Sequence, residues 1–342
     1  MTMVQTQPVR KSPPLKIMGL LHARWANQVL NSAIELGIFS VCQGGMTSDQ
    51  VAGKLSIDRK GARLLLDALV SMELLVRDKT TYKPTELAST YLVEGSPLYL
   101  GSYILDKGEL DQSWGQLTNV VRTGKPHKRV NDPQAGQKFF VELVKMIYPL
   151  NYTTAQLLAD HLDVQSWTGK VKVLDLAAGS GVWSLPMACA NRSVEVDALD
   201  LAPIIEVTRE YATRHGAESQ YKYLEGRWQD IELAAGHYDI IILGHILHAE
   251  GKELSQRLLE HCARALKPGG KLVVAEFISN DEETGPVFPR LFALNMLIMT
   301  ENGCVFTQTE LKNMLQAAGL PKVQRLDLPY WGAESPLMIA EK

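Results

Sequence analysis

The stretch Val171-Lys172-Val173-Leu174-Asp175-Leu176-Ala177-Ala178-Gly179-Ser180-Gly181-Val182-Trp183-Ser184 decides the fold of this chain. Its alternating apolar run predicts a buried strand that ends at Asp175-Leu176, followed by a turn of small residues and a helix from Val182 to Ala190. A strand, a glycine turn and a helix start present backbone N–H groups and the positive end of a helix dipole to a ligand. Gly179 and Gly181 lack a Cβ, so the backbone can approach that ligand closely.

A second apolar strand, from Val194 to Leu199, is followed by another acid, Asp200. An acid at the end of the second strand can accept hydrogen bonds from both ribose hydroxyls of a nucleotide-like ligand. These two features are compatible with a dinucleotide, with S-adenosylmethionine (SAM) and with an ordinary β-turn that binds no ligand.

Size and composition are typical of a soluble protein with two domains. The chain has 342 residues, of which 46% are hydrophobic and 21% charged, and its formal net charge is −3. The acidic balance disfavours a nucleic-acid partner, which usually requires a clustered basic face. Four scattered cysteines without a Cys-x-x-Cys pair favour a cytoplasmic location and no metal site. The apolar stretch Leu291–Met299 is too short to span a bilayer, and no signal peptide is visible, so no membrane partner is expected.

The N-terminal third predicts a helical domain. Residues 1–14, with prolines at positions 8, 13 and 14, predict a flexible leader. Residues 15–100 predict a winged-helix domain: a helix from Leu15 to Phe39, a helix capped by Thr47 with Gln50 as capping-box partner, a helix that begins at Asp58, and a hairpin around residues 78–81.

A winged helix can bind DNA, and the basic residues Arg59, Lys60 and Arg63 lie on one of its predicted helices. Asp58 and Asp67 flank these bases, however, and a few bases at a helix start usually form a solvated face. The sequence therefore favours a contact between protein chains over DNA binding.

Residues 101–160 predict a helical connector that contributes to a ligand pocket. An aromatic and methionine stripe that includes Phe139, Tyr148 and Tyr152 is more typical of a core. Its place next to the glycine turn in the sequence nevertheless favours a pocket.

Residues 161–342 predict an α/β domain with a mostly parallel sheet, because strand and helix patterns alternate. Ligands bind beyond the carboxyl ends of the strands in such sheets. Several chemistry-bearing residues follow strand ends and should meet at one edge: Gly179, Asp200, Arg227, Trp228, His245, His248 and Glu276.

Taken together, these residues resemble the class I SAM-dependent small-molecule O-methyltransferases, which include caffeic-acid and acetylserotonin O-methyltransferases and many bacterial secondary-metabolite enzymes. Leu36-Gly37-Ile38-Phe39, Asp200-Leu201-Ala202-Pro203 and Lys267-Pro268-Gly269-Gly270 look like recurring stretches of that family. The resemblance covers nearly the whole chain. It implies a Rossmann-like sheet for residues 161–342 and an N-terminal winged-helix domain that forms a homodimer.

By this resemblance, a first set of residues holds the cofactor SAM, whose product is S-adenosylhomocysteine (SAH). Asp175, Ala177, Gly179 and Gly181 match the motif for the methionine moiety, and Asp200 with Leu201 matches the ribose site. Arg227 and Trp228 fall at the adenine, where Arg227 cannot accept a hydrogen bond from the amino group and Asp230 could replace it. Ala177 stands at the usual first glycine, which is compatible with the motif if residue 177 has a negative φ.

A second set implies catalysis. His248 matches the family's general base and Glu276 the acid that orients it, with the family's spacing. His245 is a competing base and is assigned to the cofactor site. Met296 matches a position that packs on the acceptor ring, whereas pattern alone assigns the other acceptor residues: Phe139, Tyr148, Tyr152, Phe292 and Met299.

Three departures affect this mechanism. Ala249 stands at an acid of the family, Glu250 at its tryptophan, and Val305 at a second glutamate. The sequence therefore predicts methyl transfer to a hydroxyl of an aromatic or polyketide-like small molecule, and leaves open a self-ionised, carbon or nitrogen acceptor. It also leaves open a non-methylating role of SAM, a winged-helix DNA-binding regulator, and an NAD-dependent enzyme, which Ser184 at the third glycine position disfavours.

Overall fold

The computed structural model describes residues 13–105, 108–127, 135–328 and 336–342, with backbone only for 108–110 and 135–138. The predicted leader lies outside this part of the chain except for residues 13 and 14. The chain divides into two compact units after Leu105, close to the predicted boundary at residue 100. No helix of the described ranges combines the length and apolarity that crossing a membrane requires.

The first unit contains six helices and three short strands in its described residues. They are α1 (Leu15–Glu35), α2 (Ile38–Cys42), β1 (Met46–Thr47), α3 (Ser48–Leu55), α4 (Arg59–Ser71), β2 (Leu75–Asp78), β3 (Thr81–Pro84), α5 (Glu86–Tyr91) and α6 (Gly101–Leu105). The strands form an antiparallel sheet in the order β1-β3-β2. This is the helix–helix–hairpin order from which the sequence predicts a winged-helix module.

Local sequence explains the boundaries of these elements. The single helix predicted from Leu15 to Phe39 is two helices, because Gly37 has φ +68° and separates α1 from α2. The predicted capping box of Thr47 and Gln50 is present, and the Asp58 carboxylate accepts a hydrogen bond from the Gly61 N–H at the start of α4.

The second unit carries the central sheet. Its helices are α7 (Gly108–Gly115), α8 (Leu117–Thr123), α9 (Ala135–His161), α10 (Leu185–Ala190), α11 (Ala202–Arg214), α12 (Leu247–Ala265), α13 (Val287–Met299) and α14 (Gln308–Ala317). Its strands are β4 (Val171–Leu176), β5 (Val194–Asp200), β6 (Tyr221–Glu225), β7 (Tyr238–Gly244), β8 (Leu266–Ala275), β9 (Ile278–Ser279), β10 (Phe306–Thr307), β11 (Lys322–Leu326) and β12 (Leu337–Glu341).

Seven of these strands form one sheet in the order β11-β12-β8-β7-β4-β5-β6, in which only β12 runs against the others. The order reverses on either side of β4, which is where ligands bind in open α/β sheets. The pairings of the strands end together: Leu176 lies opposite Leu199 and Leu243, and Gly244 lies opposite Ala275. The residues that follow these strands therefore meet at one edge, as the sequence predicts.

Candidate active site

The glycine turn after β4 has an unusual backbone at three positions. Gly179 has φ +59° and Gly181 has φ +72°, and Ala177 has φ +57°. The negative φ that would make alanine compatible with the motif at position 177 is therefore not present. An alanine takes the left-handed conformation of the missing glycine because the strand and turn around it fix the backbone, at a cost of roughly 1–2 kcal/mol.

Two amides of the turn donate hydrogen bonds within the protein, although the sequence predicts that the amides of this turn face a ligand. The Gly179 N–H donates to Oδ2 of Asp200 at 2.9 Å, and the Gly181 N–H donates to the Ala178 carbonyl at 2.7 Å. A Cβ on Gly181 would lie 3.1 Å from Thr208, and one on Gly179 3.2 Å from Val144. Helix α10 is also shorter than predicted and begins at Leu185. The glycines serve the internal packing of the turn, which is a poor cradle for a pyrophosphate.

Asp200, at the end of β5, is fixed by two backbone donors. Besides Gly179, the N–H of Leu201 donates to Oδ1 at 2.8 Å. Burial raises the pKa of Asp200 to about 6, although both N–H bonds favour the charged form. An ionised carboxylate accepts about four hydrogen bonds, so Asp200 keeps acceptor capacity for a diol.

Asp175 points into the protein. Its carboxylate is 1% exposed and accepts a hydrogen bond from Ser184 Oγ at 2.6 Å. Burial raises the pKa of Asp175 to about 7, and the neighbouring charge of Asp200 adds to the shift, whereas the hydrogen bonds from Ser184 lower the pKa. Nothing in the sequence marks Ser184 as the partner of Asp175, because a serine in the third glycine position carries no signal for that role.

Arg227 and Trp228 lie after β6, as predicted, but their environments differ. Arg227 is exposed, whereas Trp228 is half-buried and packs on the core of the second unit. Burial raises the pKa of Glu250, while the neighbouring Trp228 and the charge of Arg227 oppose the shift. Glu250, which stands where the family has a tryptophan, therefore lies beside Arg227 and Trp228, the residues predicted to bind adenine. The sequence alone could not show this proximity.

His248 and Glu276 form a hydrogen-bonded pair. The Nδ1 atom of His248 lies 2.9 Å from Oε2 of Glu276, and the His248 backbone N–H donates to Oε1 at 3.1 Å. Glu276 is buried, and burial alone would raise its pKa. The charge and hydrogen bonds of His248 outweigh this effect, so the pKa of Glu276 is lowered. In the neutral imidazole Nδ1 carries the proton, because an ionised Glu276 can only accept, and Nε2 is then the basic nitrogen.

Three phenylalanine rings lie on and next to the imidazole of His248. Phe292 meets it edge-on at a centroid distance of 4.9 Å, and Phe277 lies parallel at 5.9 Å. Phe288 completes the cluster at 5.0 Å from Phe277. Only Phe292 is predicted from the sequence, because Phe277 and Phe288 lie in a strand end and a helix start without a distinctive pattern.

His245 lies between aromatic rings at the end of β7. Its ring stacks on Phe277 at 4.7 Å and lies 5.9 Å from Trp183, and its backbone has φ +62°. Burial lowers the pKa of His245 to about 4, and the charge of His248 adds to the effect, while Glu276 opposes it. His245 is therefore neutral at neutral pH.

The donor atoms of His245, His248 and Glu276 lie within 4.8 Å of one another, which is a grouping that could ligate a metal. Glu276 and His248 already satisfy each other by hydrogen bonds. The absence of a metal from the reaction stays a prediction.

The predicted acceptor residues fall into separate places. Met296 lies near the backbone of His248. The sulfur of Met296 and the carbonyl of His248 both lie next to Gly303, close enough to contact a Cβ added there. Met299 and Phe139 belong to a small apolar cluster with Val120.

Tyr148 and Tyr152 pack against α11 instead of the rings around His248. The hydroxyl of Tyr148 lies 2.9 Å from Nε2 of His215, and its ring lies 4.3 Å from that of Tyr211. Tyr152 contacts the rings of Tyr148 and His215. These two tyrosines stabilise the packing of α9, which is the core role that an aromatic stripe more often has.

Comparison with known proteins gives the family. Residues 18–94 match the O-methyltransferase dimerisation domain, and residues 116–321, more than half of the chain, match the O-methyltransferase domain. The chain therefore belongs to the O-methyltransferase family of SAM-dependent enzymes. This confirms the fold class, the enzyme class and the cofactor that the sequence predicts.

Similar proteins differ in the atom that they methylate. The 3-hydroxy-5-methyl-1-naphthoate 3-O-methyltransferase of Streptomyces sahachiroi is 27% identical over 336 residues, with 96% of this chain and 95% of that protein covered. The L-tyrosine C(3)-methyltransferase of Streptomyces lavendulae is 28% identical over 348 residues, covering 95% and 93%. The crystal structure of an inferred O-methyltransferase from Nostoc punctiforme has a TM-score of 0.82 at 26% identity and covers 97% of this chain and 100% of that one.

Proposed function

We propose that this protein transfers the methyl group of SAM to a hydroxyl of an aromatic small molecule, with His248 as the general base and Glu276 as the residue that orients it. The observation that carries the proposal is the pair of hydrogen bonds from His248 to Glu276, which leaves Nε2 of a partly exposed imidazole basic beside a phenylalanine cluster. A base in this tautomer can take a proton from a hydroxyl within hydrogen-bond reach.

The carboxyl edge of the sheet fits SAM better than a dinucleotide. The amides of Gly179 and Gly181 are already donors inside the protein, so they do not offer the anion site that a pyrophosphate uses. Asp200 presents a fixed carboxylate suited to the two hydroxyls of a ribose. We assign the methionine moiety to the turn around Ala177, Gly179 and Gly181, the ribose to Asp200 with Leu201, and the adenine to Trp228.

The methyl donor supplies an activated sulfonium, so the chain's own residues mainly orient the acceptor, exclude water and move one proton. Orientation of this kind is worth roughly 7–11 kcal/mol. His248 Nε2 accepts the hydroxyl proton while Glu276, charged and buried, stabilises the imidazolium that forms. His245 stays neutral beside it and does not compete for the proton.

The acceptor class follows from the rings around the base. Phe277, Phe288 and Phe292 form an apolar aromatic cluster next to His248, and aromatic rings prefer offset or edge-on contact with one another. The naphthoate 3-O-methyltransferase relative acts on a hydroxylated aromatic acid. We infer a hydroxylated aromatic or polyketide-like acceptor of secondary metabolism.

The cofactor assignment is tested by calorimetry with SAH. Asp200→Asn should weaken SAH binding about tenfold or more, because an amide offers one acceptor oxygen for a diol and disturbs the Gly179 contact. Asp160→Asn, the same change at an exposed position of α9, serves as the matched control and should leave the affinity unchanged. Equal affinities for wild type and Asp200→Asn would remove Asp200 from the site.

The acceptor assignment is tested with methyl-labelled SAM and a panel of hydroxynaphthoates, each paired with its methoxy-blocked analogue. Label should enter only compounds with a free hydroxyl. A second candidate, transfer to carbon, is favoured by Val305 in place of an acid and by the L-tyrosine C(3)-methyltransferase relative. Carbon methylation would instead appear as a new ring-bound methyl signal in the NMR spectrum of the product.

We further propose a homodimer formed by the N-terminal unit. One end of α1 leaves large apolar side chains exposed, among them Leu20 at 72% and Trp25 at 68%. Trp25→Asp should shift the protein to monomer in sedimentation experiments, and an unchanged mass would oppose this interface. The predicted lack of nucleic-acid and membrane partners and the cytoplasmic location stay predictions.

A further inference from the structure

Tyr221, Ser184 and Asp175 form a chain of hydrogen bonds beneath the glycine turn that the proposed reaction does not use. Ser184 Oγ lies 2.6 Å from Oδ2 of Asp175 and 2.9 Å from the hydroxyl of Tyr221. Ser184 and Asp175 are 0% and 1% exposed. The chain joins three elements of the second unit: Asp175 near the carboxyl end of β4, Ser184 immediately before α10, and Tyr221 at the start of β6.

The chemistry of the three groups fixes the direction of these bonds. An ionised Asp175 can only accept, so the single proton of Ser184 points at it, and 2.6 Å is the length expected for a hydroxyl on a carboxylate. The hydroxyl of Tyr221 must then donate to Ser184. The ionised state of Asp175 is therefore supported by two donors in series.

A protonated Asp175 requires the opposite arrangement. Its own proton would go to Ser184 Oγ, and the Ser184 proton would turn to the Tyr221 hydroxyl at 2.9 Å or to the Gly181 carbonyl at 3.3 Å. The charge of Asp175 is thus coupled to the direction of the hydrogen bonds that Ser184 makes. The titratable groups that face this chain are Asp200 on β5 towards Asp175, and Cys189 on α10 and Tyr223 on β6 towards Tyr221.

We propose that Tyr221 and Ser184 are positioning residues that keep Asp175 ionised for the cationic methyl donor, so that binding of the donor releases a proton from this aspartate. The inference rests on the proposed cofactor site at this edge. Burial and the charge of Asp200 oppose ionisation of Asp175. The hydroxyls of Ser184 and Tyr221, and a bound cation, favour it.

With burial raising the pKa of Asp175 to about 7, the free protein near neutral pH is a mixture of both states. Donor binding selects the carboxylate, and the proton of the protonated fraction passes to the buffer. The affinity for SAM should therefore rise between pH 6 and pH 8 and become constant above about pH 8.5, where Asp175 is already ionised.

Calorimetry at several pH values in two buffers of different ionisation enthalpy tests the inference. Wild type should release about half a proton on SAM binding at pH 7 and almost none at pH 8.5. Ser184→Ala removes a hydrogen bond that lowers the pKa of Asp175, so it should weaken SAM binding about tenfold at pH 6.5 but less than twofold at pH 8.5. Tyr221→Phe should act in the same direction with about a threefold effect.

Tyr223→Phe is the matched control. Tyr223 lies on the same strand, its ring stacks on Tyr221 at 6.0 Å, and its buried hydroxyl makes no hydrogen bond with the described residues. This variant should keep the affinity and pH profile of wild type. Asp175→Asn should abolish the proton release.

The outcomes separate this inference from the proposed function. Wild type that binds SAM with a pH-independent affinity and no proton release would overturn the relay and leave the cofactor site intact. An equal loss of affinity at pH 6.5 and pH 8.5 in Ser184→Ala would also overturn it, because a merely structural role predicts that result. No binding of SAM to wild type at any pH would overturn both.

Discussion

Replacing Glu276 by glutamine tests whether the carboxylate of Glu276 keeps Nε2 of His248 able to accept a proton. The side chain keeps its shape but has one acceptor oxygen, whereas Glu276 accepts from Nδ1 of His248, from the His248 backbone N–H and from the Phe277 backbone N–H. In one orientation the new NH2 group faces Nδ1 and forces the ring proton to Nε2. In the other it faces the backbone N–H of His248 and displaces the ring.

The first outcome removes the basic Nε2, and the second moves it away from its position beside the acceptor. General-base catalysis contributes roughly 10²–10⁴ in rate, which corresponds to about 3–5 kcal/mol of the activation free energy. We therefore expect kcat of Glu276→Gln to fall by about that factor in a labelled-SAM assay at saturating substrates. SAH affinity, measured by calorimetry, should stay within about twofold of wild type, because Glu276 is assigned no contact with the cofactor.

The matched control is Glu253→Gln, the same change at an exposed position of α12, which should leave both quantities unchanged. A Glu276→Gln enzyme with kcat within about threefold of wild type would refute the argument. So would a loss of SAH affinity equal to the loss in kcat, since that would indicate a general collapse of the site.

Three further predictions concern the backbone, the acceptor surface and metals. Ala177→Gly should leave the urea midpoint unchanged or raise it, whereas Ala177→Val should lower stability by about 2 kcal/mol, because β-branched residues strongly disfavour a positive φ; the opposite order would contradict the left-handed conformation. Phe288→Ala should raise the acceptor KM about tenfold, with SAH affinity unchanged, since it removes ring contact beside the base; an unchanged KM would exclude Phe288 from the acceptor surface. Prolonged treatment with a chelator should leave kcat unchanged, and a loss that Zn²⁺ or Mg²⁺ restores would show that His245, His248 and Glu276 use a metal.

The sequence predicts the structure correctly where hydrophobic periodicity and the positions of strand ends determine it. Asp200, His248 and Glu276 each follow a predicted strand. They meet at one edge of the sheet because parallel strands have their carboxyl ends on the same side. The capping box of Thr47 and Gln50 is equally local and is confirmed.

Contacts between distant elements decide what the sequence could not show. Tyr148 and Tyr152 lie at helical spacing that suits either a pocket or a core, and only the packing of α9 on α11 places them against Tyr211 and His215. Ser184 becomes the partner of Asp175 through the turn between them. The sign of φ at Ala177 likewise depends on the surrounding turn, since alanine itself disfavours the left-handed region.

We propose that the cofactor-loaded edge of the sheet acts on the acceptor through the imidazole of His248. Single-turnover methyl transfer by His248→Ala, saturated with labelled SAM, tests it most directly. We predict a rate at least about 100-fold below wild type with SAH affinity within about twofold. Transfer at the wild-type rate by a variant that binds SAH normally would contradict the account.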